Sequence, residues 1–179
     1  MINYEAISAT VAAIKRKYQE NDLFRLCAYM GIQVVDLDTP MSAEDFKGMS
    51  IIKCRIPVIV LNAGLNTRLK RVVLAHEIGH VVLHKKLAEL RGFHDFDLFG
   101  MKDSTEYEAN VFAAELMLDT EEVLELLNQD MTFFGAASTL GVPPELLDFK
   151  FRVLKNQGYS IHPMMICNGD FLKKINNSD

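Results

Sequence analysis

Apolar residues recur at helical spacing in the first segment, where Ile7, Val11, Ile14 and Tyr18 form one stripe and Lys15, Arg16 and Lys17 fall on a solvated turn. This predicts a helix over residues 4–18. Asn21 or Asp22 can cap a second helix that runs to Met30 and ends at Gly31. The period then shortens: residues 32–37, 49–55 and 57–61 read as strands around a loop at 39–47. The last two form an antiparallel pair, with Pro57 placing the start of its strand at the turn. Between 71 and 84, Val72, Val73, Leu74, Ala75, Ile78, Val81, Val82 and Leu83 make a helix apolar on nearly every side, as a buried helix must be. Residues 104–117 read as a helix. Asp119 with Glu122 makes a capping box before Val123, Leu124, Leu126 and Leu127. Residues 132–140, the turn Gly141-Val-Pro-Pro and residues 145–157 predict helix, turn and helix. Residues 159–172 add short strands, and the end at Asn176-Asn-Ser-Asp frays. The expected architecture is one α+β domain over residues 1–179, with a small antiparallel sheet, a buried helix and a mostly helical C-terminal half.

The buried helix carries His76-Glu77-x-x-His80. Residues four apart on a helix are about 6 Å apart along the axis and about 40° apart around it, so both imidazoles can reach one zinc ion. Glu77 is fixed beside that ion but points to one side, where its carboxylate can accept a proton from an attacking water. Gly79, a helix-interior glycine near the histidine face, points to close approach by another backbone or a substrate. His84 lies about 12 Å along the axis from His76, too far to join the same ion if the helix continues. It reads instead as a C-terminal histidine near the last carbonyls, followed by Lys85 and Lys86 at the negative end of the dipole.

A catalytic zinc takes three protein ligands and keeps one position open. The third is sought in residues 103–117, whose start Asp103 with Glu106, or Ser104 alone, can cap. Glu108 and Glu115 share a face that reads as a solvated acidic stripe, whereas Glu106 lies beside Ala109, Asn110 and Ala113, a face suited to close packing. Glu106 is the candidate ligand, with Glu108 in reserve and Asn110 able to orient the Glu106 carboxylate.

Two motifs, Leu74-Ala75-His76-Glu77-Ile78-Gly79-His80-x-x-Leu83-His84 and Glu106-x-x-Ala109-Asn110-x-Phe112-Ala113-Ala114-Glu115-Leu116-Met117, together resemble the ImmA/IrrE family of metallopeptidases. The resemblance covers roughly residues 32–156. It implies a zincin-like fold, zinc on His76, His80 and Glu106, and catalysis by Glu77. Asp119 stands where many members carry proline, which touches a helix boundary and no site residue. Residues 57–62 are expected either to hold an extended substrate at a sheet edge or to serve as plain core sheet. Residues 87–102, with Gly92, Gly100 and the run from Phe93 to Phe99, are a candidate lid, and His94, Asp95 and Asp97 are poor ligands on such a loop. Tyr107, Tyr159 and His162 are the available oxyanion donors, and spacing selects none.

Net charge is −5 and pI about 5.5, so the chain has no electrostatic footprint for nucleic acid. The helix, turn and helix at 132–157 evoke a DNA reader but carry few cations, and packing is the better reading. No apolar run is long enough for a membrane span and no signal peptide is evident, so a cytoplasmic protein is expected. Cys27, Cys54 and Cys167 are odd in number and widely spaced, as reduced thiols would be. The resemblance further implies site-specific cleavage of a helix-turn-helix transcription repressor, as by an anti-repressor of a mobile element or stress response. The alternative is a zinc-bearing module that captures a regulator without cutting it.

Overall fold

A computed structural model describes residues 2–38, 46–90, 93–95, 104–128 and 131–161. The Asn3 side chain accepts a hydrogen bond from the Ala6 N–H and so caps α1 (Tyr4–Tyr18), which buries Ile7, Val11 and Ile14. Asp22 caps α2 (Leu23–Met30), and Gly31 at φ 72° ends it in the left-handed conformation. The two ends of α2 fall where the sequence places them, whereas the Asn3 cap of α1 is not among the expected features.

Strands β1 (Gln33–Leu37), β2 (Gly48–Lys53), β3 (Ile56–Asn62) and β4 (Phe93–Asp95) form one sheet in the order β1-β3-β2-β4. The β2–β3 hairpin is antiparallel, as expected, and turns through Cys54 and Arg55 at φ 51° and 68°. Two positive-φ residues match the twist of a two-residue hairpin, at some conformational cost for side chains other than glycine. The sheet as a whole is mixed rather than antiparallel, because β1 runs parallel to β3, from Gln33 opposite Val58 to Leu37 opposite Asn62. Alternation in two adjacent runs encodes the hairpin locally, whereas the partner of β1 is set by tertiary packing that alternation does not encode.

This order corrects the expectation for residues 57–62. β3 pairs on both sides and is an interior strand, so its backbone cannot also pair with a substrate; the sheet edges among the described residues are β1 and β4. Pro57 is tolerated because it stands one residue before the β1 ladder begins at Val58. The sheet is amphipathic: Ser50, Ile52, Ile59 and Leu61 are buried, while Met49, Ile51, Val58 and Val60 on the other face are half-buried.

Asn66 caps α3 (Thr67–Leu83), in which the ten residues from Val72 to Val81 are all buried. α4 (Lys85–Leu90) follows at once and packs Ala88 against Ile52. The candidate lid is therefore corrected in part: residues 85–90 are helix and 93–95 are a strand paired with β2, while 91, 92 and 96–102 lie outside the described residues.

α5 (Ser104–Met117) packs against α3, and Gly79 explains how closely. A Cβ there would lie 3.2 Å from the Ala109 Cα and 3.2 Å from the Phe112 ring, so glycine lets the α5 backbone approach. Asp119 caps α6 (Thr120–Leu127) by accepting from the Glu121 and Glu122 N–H groups. Thr132 caps α7 (Phe133–Thr139), Gly141 turns the chain at φ 67°, and Pro144 opens α8 (Pro144–Asn156). α8 is a core element: Leu146, Leu147, Phe149, Phe151, Val153 and Leu154 are buried, and Lys150, 2 % exposed, pairs with Glu115. Glu115 is thus an internal ion-pair partner and not part of a solvated stripe. Arg152 is likewise engaged, with Asp148 at 2.8 Å.

The architecture is α+β and mostly helical, as the sequence predicts. Cys27 is buried and Cys54 exposed, both as thiols; Cys167 and the strands expected beyond 161 lie outside the described residues. Among the described residues no helix is long and apolar enough to cross a membrane.

Candidate metal centre

α3 presents His76 and His80 one turn apart on the side that faces the first turn of α5. Their Nε2 atoms approach to 2.9 Å, and the Glu106 Oε2 lies 3.3 Å from the first and 3.4 Å from the second. These three donors lie within 4.8 Å of one another and can hold a metal ion. Ligand atoms about 2.0–2.2 Å from a tetrahedral zinc would be about 3.3–3.6 Å apart, so the two distances to Glu106 already match and the imidazole pair needs only a slight opening. Both imidazoles are fully buried, while the Glu106 side chain keeps 26 % exposure.

Protonation favours the same chemistry. Burial pushes the His80 imidazole down to about 4, against the opposing pull of Glu106. Burial would raise the Glu106 carboxyl, but hydrogen bonds to His76 and His80 outweigh it and hold the group well below the usual carboxylate range. At neutral pH His80 is uncharged and Glu106 is ionised, the states a divalent metal requires of such ligands.

The outer ring nitrogens are also engaged. His76 Nδ1 lies 2.9 Å from Asn110 Oδ1, so Asn110 orients an imidazole rather than the Glu106 carboxylate. His80 Nδ1 lies 3.1 Å from His84 Nδ1, and His84 Nε2 lies 3.0 Å from Glu108 Oε2. His84 therefore corrects its expected role: its backbone N–H bonds the His80 carbonyl, but its ring lies between His80 and Glu108. Glu108, the reserve ligand, is committed to His84. The signal was present in the sequence, since His84 is four residues beyond His80 and continues its stripe, but distance from His76 tests only direct ligation.

Glu77 is buried, with Oε1 only 3.3 Å from where a Cβ on Gly48 would sit. Glycine at the start of β2 thus lets the sheet pass close over the Glu77 carboxylate, an approach that no local pattern announces. Tyr107 turns to α1 and α8, its hydroxyl 2.7 Å from that of Tyr4 and its ring edge-on to Phe149. Tyr159 is largely exposed. His162, Asp97 and Asp103, with the side chains of His94 and Asp95, lie outside the described part.

Residues 27–152 match the model of the IrrE N-terminal-like domain, peptidase family M78. The chain is 32 % identical over 154 residues to the uncharacterized immunity region protein 2 of Bacillus phage phi105, covering 86 % of this chain and 94 % of that one. It is 24 % identical over 148 residues to metallopeptidase ImmA of Bacillus subtilis strain 168, covering 82 % and 84 % respectively. The paired histidines on α3 and the acidic first turn of α5 both fall inside the matched region, and the chain belongs to the IrrE N-terminal-like family of metallopeptidases.

Proposed function

We propose that the protein is a zinc-dependent, zincin-like endopeptidase that cuts a helix-turn-helix transcription repressor at one site, in the cytoplasm, and so acts as an anti-repressor. The observation that carries the chemistry is the convergence of two buried imidazoles and one carboxylate beside a buried glutamate. His76, His80 and Glu106 hold the ion. Two nitrogen donors and one carboxylate are a donor set proper to catalytic zinc, which leaves one position open. A bound zinc supplies a Lewis acid that polarises the scissile carbonyl and makes water a stronger nucleophile at neutral pH.

The chain's own residues do the rest. Glu77 takes the proton of the attacking water on its carboxylate and passes it to the leaving amine. Its burial against Gly48 restricts its side-chain freedom, so the base is positioned before substrate arrives. Glu106, the half-exposed member of the set, marks the side from which substrate enters. β4, a sheet edge among the described residues, pairs with β2 at Gly48, opposite Asp95, and Gly48 lies against the Glu77 carboxylate; an extended peptide adds to the sheet at that edge. The repressor as substrate is supported by the immunity-region name of the phage relative and by the ImmA relative.

The test is the Glu77→Gln variant. It is expected to keep about one zinc per chain while peptide hydrolysis falls by at least about 100-fold, the scale of general acid–base assistance. A Gln variant that cleaves as well as the wild type would remove Glu77 from the mechanism.

A further inference from the structure

We propose that Glu108 and His84 form a relay that aims His80 at the metal, resting on the metal reading above, so that a carboxylate two residues beyond the proposed ligand Glu106 sets the metal affinity without touching the ion. The distances define the relay: Glu108 Oε2 to His84 Nε2 is 3.0 Å, and His84 Nδ1 to His80 Nδ1 is 3.1 Å.

With His80 ligating through Nε2, one proton placement satisfies both of these links. His80 can ligate through Nε2 only if that nitrogen offers its lone pair, so its proton sits on Nδ1. That N–H points at His84 Nδ1, which must then accept, and the His84 proton is left on Nε2. There it donates to the Glu108 carboxylate. A His84 carrying its proton on Nδ1 would set two N–H donors against each other at 3.1 Å and leave Glu108 without a donor from that ring. The Glu108 carboxylate thus selects the His84 tautomer, and that tautomer fixes the His80 ring and raises its basicity.

The rest of the site shows why the relay is needed on one side only. His76 obtains the same service directly from the Asn110 amide oxygen at 2.9 Å. Both imidazoles are therefore oriented from α5, which also carries Glu106; His80, one turn further along α3, is reached through an intervening imidazole. His84 is itself buried, so the inner link is shielded from water, while Glu108 stays part-exposed. His84 and Glu108 are positioning residues: neither lies among the three converging donors.

The experiment measures the zinc Kd of the full chain by competition with a chelator, for the wild type, Glu108→Ala, Glu108→Gln, His84→Ala and the Glu108→Ala/His84→Ala double variant. Each alanine variant is expected to bind zinc about 10- to 100-fold more weakly. Because Glu108 acts through His84, the double variant is expected to be no weaker than His84→Ala alone, a non-additivity that independent packing losses would not produce. Glu108→Gln, whose amide oxygen still accepts from Nε2–H, is expected to fall between the wild type and Glu108→Ala. Unchanged Kd values in the single variants, or fully additive losses in the double variant, would overturn the relay. If His84→Ala fails to fold, the two variants at part-exposed Glu108 decide: Ala weaker than Gln upholds the relay, and both equal to wild type overturns it. Glu106→Ala, run in parallel, separates the failures: if it too binds zinc like the wild type, the metal site itself falls and the relay with it.

Discussion

Glu145, in the first turn of α8, has its carboxylate buried, and that burial raises its pKa above the ordinary glutamate range against the smaller opposing effect of a hydrogen bond from its own backbone. The folded state therefore holds its proton more tightly than the unfolded chain. The stability this proton contributes is present below the ordinary glutamate value and is lost as pH rises through the raised one. Glu145→Gln removes the penalty, so its thermal midpoint should match the wild type at about pH 4 and exceed it at about pH 8. Equal midpoints at both pH values would contradict this. Glu106→Ala removes one of three proposed ligands and should lose zinc on dialysis, as measured by metal analysis. His76, Glu77 and His80 were legible in the sequence because one helix fixes their mutual geometry. Their partners are not: spacing alone pairs Asn110 with the Glu106 carboxylate, puts Glu108 on a solvated stripe and leaves His84 at the helix carbonyls. Those contacts depend on where α5 crosses α3, which spacing within either helix cannot state.

Between elements, the Lys150–Glu115 pair joins α8 to α5 inside the core, and Lys15 of α1 donates to the Glu115 backbone carbonyl. Removing one partner leaves a buried charge uncompensated, so Glu115→Leu should lower stability to denaturant by about 3–5 kcal/mol. Adding Lys150→Met should recover most of that loss, since a buried pair contributes little net stability over packed apolar groups. A double variant as unstable as the single would contradict this account of the α5–α8 contact. The helix, turn and helix at 132–157 was legible from its Thr132, Gly141 and Pro144 signals, and its packing role from its few cations. The hairpin was legible through alternation, but the parallel β1–β3 pairing and the added β4 were not, because sheet neighbours are chosen by long-range packing. That choice moved the candidate substrate edge from β3 to β4.

On the scale of the molecule, the proposed cleavage of a single partner rests on a buried candidate metal group whose most exposed member, Glu106, keeps 26 % exposure. A net charge of −5 is compatible with the proposed basic DNA-binding partner and is too common to argue for one. The most direct measurement incubates the protein and its Glu77→Gln variant, each with zinc, with a helix-turn-helix repressor encoded beside its gene, and maps new termini by mass spectrometry. The account predicts a single new pair of termini from the wild type, none from Glu77→Gln, and none from the wild type when a chelator removes the zinc. A stable complex of repressor and zinc-loaded wild type with no new termini would contradict it and establish capture without cleavage.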